Sequence, residues 1–126
     1  MAKARWSIPP QQLSTAMIAD LDMKVKRITA RMLQGVVFRS PVDTGAYRGN
    51  HRVGVGKVDY TTSLNDTANV STSRGLPIIM QNGGLGKVVY ISNNLPYAIA
   101  LENGHSKQAP MGIYKLTFKS VVDSLK

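Results

Sequence analysis

From Leu13 to Val36, apolar side chains recur every three or four residues: Leu13, Met17, Leu21, Val25, Ile28, Met32 and Val36. That spacing gathers them on one side of an α-helix and on neither face of a strand, which predicts one long amphipathic helix. Its charges agree with the helix dipole: Asp20 and Asp22 come early, and Lys24, Lys26, Arg27, Arg31 and Arg39 come later. Ser40-Pro41 is the expected stop, because a residue before proline avoids helical backbone angles. Residues 1–9 read as a flexible arm. The Pro9-Pro10 pair suits a first helical turn, where missing amide hydrogens cost little.

A long apolar stripe needs cover, and the remaining sequence offers strands and shorter helices. Asp43-Thr44-Gly45 is a turn signal: Asp bonds its own backbone and Gly accepts positive φ. Beyond it Tyr47, His51, Val53 and Val55 alternate as in a strand. Residues 61–86 are rich in Ser, Thr, Asn and Gly around one apolar island, Leu76 to Met80. They read as a long mobile loop or extended hairpin. KVVYISNN gives a second strand closing at Asn93-Asn94. Tyr97, Ala98, Ala100 and Leu101 suggest a short helix stopped by Asn103-Gly104. Pro110 restarts the chain, and Met111, Tyr114, Phe118, Val121, Val122 and Leu125 form a second helical stripe. The order predicts an α+β fold: a long N-terminal and a C-terminal helix packed on a small antiparallel sheet.

At 126 residues the chain suits a single domain with one core. It has no cysteine, which excludes disulfides, zinc–thiolate centres and cysteine nucleophiles. No signal-peptide pattern and no run of about 18 apolar residues is present, so a soluble protein is expected. The net charge is +9, with ten basic and three acidic residues in 1–58 against six and four in 59–126. Such a balance favours polyanionic partners, nucleic acid above all, or serves solubility alone.

Glu102, His105 and Ser106 crowd around Gly104 in the manner of a catalytic loop. The chemistry does not follow. A nucleophile elbow needs G-x-S-x-G, and the run Gly104-His105-Ser106-Lys107-Gln108 lacks the last glycine. His105 adjoins Ser106 too closely to act as its base, and His51 lies in another element. Glu102 is the only glutamate, which removes a glutamate pair for acid–base work, and no metal-ligand spacing occurs. No catalytic residue, metal or cofactor is therefore expected. The cluster reads as an elbow: Gly104 permits the reversal, Glu102 accepts backbone amides or an arginine, Ser106 caps a turn and Pro110 opens the next helix.

Two stretches together carry a resemblance. SPVDTGAYRGNHRV, Ser40 to Val53, resembles the P-x-D-T-G-x-L-R stretch of tailed-bacteriophage neck and tail-completion proteins, the minor tail protein Z-like, head-to-tail joining group. ISNNLPYAIALENGHSKQAPMG, Ile91 to Gly112, is similar to that family's second signature, N-x-x-x-Y-A-x-x-x-E-x-G-x-S followed by A-P-x-G. Matching positions are Pro41, Asp43, Thr44, Gly45 and Arg48, then Asn93 or Asn94, Tyr97, Ala98, Glu102, Gly104, Ser106, Ala109, Pro110 and Gly112. Tyr47 departs from the usual aliphatic residue, and His105 stands where small or polar residues are common.

The resemblance implies a non-enzymatic virion component. It would form a ring of six copies, or alternatively twelve, between portal or head-closure protein and tail terminator, around the channel through which DNA leaves. Arg27, Arg31 and Arg39 are then candidates for a channel face, or are simply a solvated helix surface. Leu76, Pro77, Ile78, Ile79 and Met80 are candidates for a subunit contact, or pack on their own core. The alternative is a small, basic, non-enzymatic DNA-binding protein.

Overall fold

A computed structural model describes residues 10–42, 45–67, 69–104 and 112–125, with the side chains of the long helix described from Ser14 onward. The stripe forms helix α1, Pro10–Arg39, about 45 Å long at 1.5 Å per residue. Then follow α2 (Ala46–Gly49), β1 (Arg52–Val55), α3 (Val70–Asn82), β2 (Val89–Ser92), α4 (Ala98–Glu102) and α5 (Tyr114–Ser124). The fold is α+β. Its sheet is one antiparallel pair, with Arg52 opposite Ser92, Val53 opposite Ile91, Gly54 opposite Tyr90 and Val55 opposite Val89. The second half of α1 packs against α3 and α5. The core gathers Leu33 and Val36 of α1 with Ala46, Tyr47, Val53, Ile79, Leu95 and Ile113.

Two sequence expectations are corrected here. The stretch 61–86 is not a loop or hairpin throughout, because it contains the 13-residue α3. Its buried residues are Ser71, Gly75 and Ile79, spaced by four, so the contact face is mostly small side chains that hydropathy overlooks. Smallness is what the packing requires: a Cβ on Gly75 would lie 2.6 Å from Leu33 Cδ2 and 2.8 Å from Val53 Cγ2. Pro77, ordinarily a helix breaker, sits on the exposed side of α3. The strand expected from Tyr47 onward is also shorter. Tyr47 lies in the helical turn α2, which follows Gly45 at a φ of 87°, and pairing starts only at Arg52. A positive φ at Gly45 turns the chain before α2, so Tyr47 enters the core from a helix.

The last helix begins at Tyr114. The expected arm 1–9, the Asp43-Thr44 turn, and His105, Ser106, Ala109, Pro110 and Met111 lie outside the described residues.

Replacing Gly75 by Val is expected to lower stability by about 1–3 kcal/mol, since added carbons must displace fully buried Leu33. Gly75→Ala is expected to cost less, because alanine's better helix propensity offsets part of the crowding. Thermal unfolding of both variants checks the order.

Candidate functional site

The stretches that begin at Ser40 and Ile91 meet in a polar hub at the base of α1. Ser40 donates its hydroxyl to the Val36 carbonyl at 2.5 Å. Its oxygen therefore accepts from His51 Nε2–H at 2.6 Å. The other ring nitrogen, Nδ1, accepts the Tyr114 phenol at 2.6 Å. Donors and acceptors close only for this tautomer of a neutral imidazole. His51 is fully buried and Ser40 nearly so. Desolvation, helped by the charge of Arg48, pushes the His51 pKa down to about 3. Burial pushes the Tyr114 phenol up, so it keeps the proton that it donates.

Around this strut, side chains serve backbone. Arg48 donates to the carbonyls of Phe38 at 3.3 Å and Ser40 at 3.0 Å, closing the C-terminal end of α1 where carbonyls lack helical partners. Ser71 of α3 accepts the His51 amide at 2.9 Å and donates to the Arg48 carbonyl at 2.6 Å. Asn50, also fully buried, donates to the carbonyls of Ala46 and Ser63 and accepts the Ser63 amide. Asp66 takes Arg52 and Arg74 at 2.8 Å each. The Arg74 hydrogen bond, working against desolvation and aided by both guanidinium charges, holds Asp66 below the usual carboxylate range. Asn93 carries the link to the second stretch, donating to the Tyr47 carbonyl at 2.8 Å. The Tyr47 and Tyr97 rings lie 6.3 Å apart.

Glu102 answers the question raised by the Glu–Gly–His–Ser cluster. Its carboxylate accepts the amides of Ile113 (2.9 Å), Tyr114 (2.8 Å) and Lys115 (2.7 Å), the first free N–H groups of α5. A side chain from α4 thus caps α5 with the negative charge that a helix N-terminus favours. Burial alone would raise its pKa. The amides of Lys115, Ile113 and Tyr114, with the Lys115 charge, outweigh that and hold it low. Gly104 at φ 84° and Gly112 at φ 86° bracket the elbow. A Cβ on Gly112 would meet the Glu102 carbonyl at 2.6 Å.

A depression of about 240 Å³ is lined by Tyr47, Ile91, Asn93, Ile99, Glu102 and Tyr114 among others. Both oxygens of its one carboxylate are engaged by backbone. The buried Ser40–His51 pair offers no serine nucleophile either: the serine proton rests on a carbonyl, and imidazole Nε2 is the donor. Among the described residues no three metal-ligating side chains gather. The arrangement holds backbone segments in place.

The remaining predicted positions are spread out. Pro41 is half-buried just past α1. Arg27 is exposed, Arg31 donates to Ser124 Oγ at 2.7 Å and Arg39 to Thr117 Oγ1 at 3.4 Å, so two of the three lean toward α5. Of the apolar island, Ile79 is fully buried and Leu76 and Ile78 pack against the core. Full burial removes Ile79 from the candidate subunit contacts; Leu76 and Ile78 remain half-buried, and Pro77 and Met80 are exposed. Sequence reasoning missed the Ser40–His51–Tyr114 strut, whose members are 11 and 63 residues apart. The signal available was a histidine placed among alternating apolar residues.

No family model, curated protein or solved structure matches the chain.

The neutral imidazole makes stability acid-labile. Unfolding exposes His51 to its ordinary pKa of 6.5, so the unfolded chain binds the proton that the fold refuses. Stability is therefore expected to fall as pH drops below about 6.5, at up to about 1.4 kcal/mol per pH unit. His51→Gln is expected to lower stability at pH 7 by about 1–3 kcal/mol and to flatten that slope between about pH 6.5 and 5. Urea midpoints against pH report both effects. Glu102→Ala is expected to cost about 1–3 kcal/mol by stripping α5 of its cap, with Glu102→Gln costing less, as read by chemical denaturation.

Proposed function

We propose that this chain is a structural virion protein of a tailed bacteriophage. On this reading it is a ring subunit of the neck or tail-completion region, joining head to tail around the DNA channel. The observation that carries the reading is the pairing of the two family-like stretches. Ser40–Val53 and Ile91–Gly112 stand far apart in sequence, yet Asn93 bonds the Tyr47 carbonyl and Tyr114, just beyond the second stretch, bonds His51. Among the described residues of both stretches, Arg48, Asn50, Asn93 and Glu102 are engaged in holding backbone, which suits an assembly part rather than a catalyst.

The charge of +9 supports a partner that is a polyanion of any sequence, since contacts to phosphates position a duplex without reading it. Exposed Arg27 is the least committed of the three candidate channel arginines. The proposed neighbours are portal or head-closure protein on one side and tail terminator on the other, with six or twelve copies in the ring. The protein would reside in the virion, and in the host cytoplasm during assembly.

Negative-stain images of the purified protein are expected to show closed rings, and phage lacking it to yield heads and tails that fail to join. Normal infectious particles without the protein would defeat the proposal. A monomer or dimer that binds duplex DNA with a steep salt dependence would instead favour the free DNA-binding reading.

A further inference from the structure

The sheet stops at two strands, and the outer edge of β2 is open. Val88 accepts the Gly56 amide at 2.8 Å, and the antiparallel register places those two residues opposite each other. Opposed pairs alternate between bonded and unbonded. Gly54–Tyr90 and Arg52–Ser92 therefore exchange hydrogen bonds, while Val53–Ile91 and Val55–Val89 do not. The N–H and C=O groups of Val89 and Ile91 point away from β1, and they have no hydrogen-bond partner there among the described residues.

Beside this edge lies a groove of about 250 Å³, lined by Met32, Val36, Val89, Ile91, Thr117 and Phe118 among others. Val36 and Thr117 are buried, whereas Phe118 is 60% exposed. A strand added to β2 runs about 4.8 Å away and sends alternate side chains to each face of the sheet. One set of them falls on the groove side, next to Val89 and Ile91. The edge thus calls for extended backbone, and the groove for an apolar side chain at every second position.

The chain carries such a segment outside the described residues. Ala2, Ala4, Trp6 and Ile8 alternate with Lys3, Arg5 and Ser7, the spacing of a half-buried strand. Ile8 and Pro9 each precede a proline, which biases both toward extended backbone. The groove of the same copy is out of reach. Trp6 is at most about 14 Å of chain from Pro10, whereas Pro10 and Met32 are about 33 Å apart along α1 at 1.5 Å per residue.

We propose that residues 2–8 of one copy add to the open edge of β2 in a neighbouring copy as a third strand, setting Trp6 and Ile8 in its groove. Val89 and Ile91 supply up to four main-chain hydrogen bonds, and the third strand enlarges a pair that is marginal by itself. Passed on in one direction, the exchange closes a ring; made reciprocally, it gives a dimer. The inference takes from the neck reading only that copies of this chain meet.

Trp6 is the single tryptophan, which makes the test direct. Self-association of the full-length Trp6→Asp chain is expected to weaken at least tenfold by sedimentation, with circular dichroism unchanged. A synthetic peptide of residues 1–9 titrated into that chain is expected to bind saturably, its Trp emission shifting to the blue. Binding is expected to slow amide exchange at Val89 and Ile91, read by NMR. Val89→Pro deletes an outward amide and no bond to β1, and is expected to weaken peptide binding at least tenfold. A peptide that does not bind, or that leaves exchange at Val89 and Ile91 unchanged, would overturn the strand contact whether or not Val89→Pro folds. Rings that persist in Trp6→Asp would also overturn it and leave the neck reading standing. Slowed exchange at both amides in a wild-type chain that forms dimers in place of rings would uphold the contact and count against the neck reading.

Discussion

A neutral histidine in the buried interior is the constraint on which the rest of this structure leans. His51 has one donor and one acceptor in its uncharged form, and each has one partner: the hydroxyl that ends α1 and the phenol that begins α5. Three segments distant in sequence are joined through one ring. Protonation would put a charge in a buried site and turn the acceptor facing Tyr114 into a second donor, so the fold and the neutral imidazole require each other. The closure extends outward through neighbouring groups. Ser71 holds the His51 amide, Arg48 holds the end of α1, and Asn93 holds the turn that carries Tyr47.

Polar residues here act on the main chain with unusual consistency. Glu102 is the clearest case: a carboxylate beside glycine, in a loop that looks chemical, is saturated by the three amides that open α5. Asn50 does the same for the segment between β1 and α3 through Ser63, and Asp66 ties that segment to the side chains of Arg52 and Arg74. With these groups engaged, what the molecule offers to others is its outside: a basic surface, an apolar helix end and an apolar groove.

Elements whose buried face is made of large apolar side chains were legible in the sequence. The stripe from Leu13 to Val36 specified α1, Ser40-Pro41 its end, and KVVYISNN contained β2, because burial of big side chains imposes a period that survives in the letters. The cap from Glu102 and the turn at Gly104 were legible too, since a glycine after a helix and a lone glutamate have few structural uses besides a reversal and a cap. Helix α3 was not. Its inner face is Ser71, Gly75 and Ile79, chosen for close approach to Leu33 and Val53, and small residues look the same in a loop. Nor was the role of Tyr47, whose alternation with His51 imitates a strand while Gly45 turns it into a helix.

By itself the sequence determined the class of fold, the long helix, the basic charge and the exclusion of disulfides and zinc–thiolate centres, all of which follow from composition and local period. Tertiary structure alone decided that Ser40 meets His51, that Ile79 belongs to the core, and that Met17 and Leu21 of the α1 stripe are left exposed. Each of those is a pairing between residues far apart in the chain. Local period records which face of an element is apolar; it carries no record of which distant surface covers that face, or whether any does.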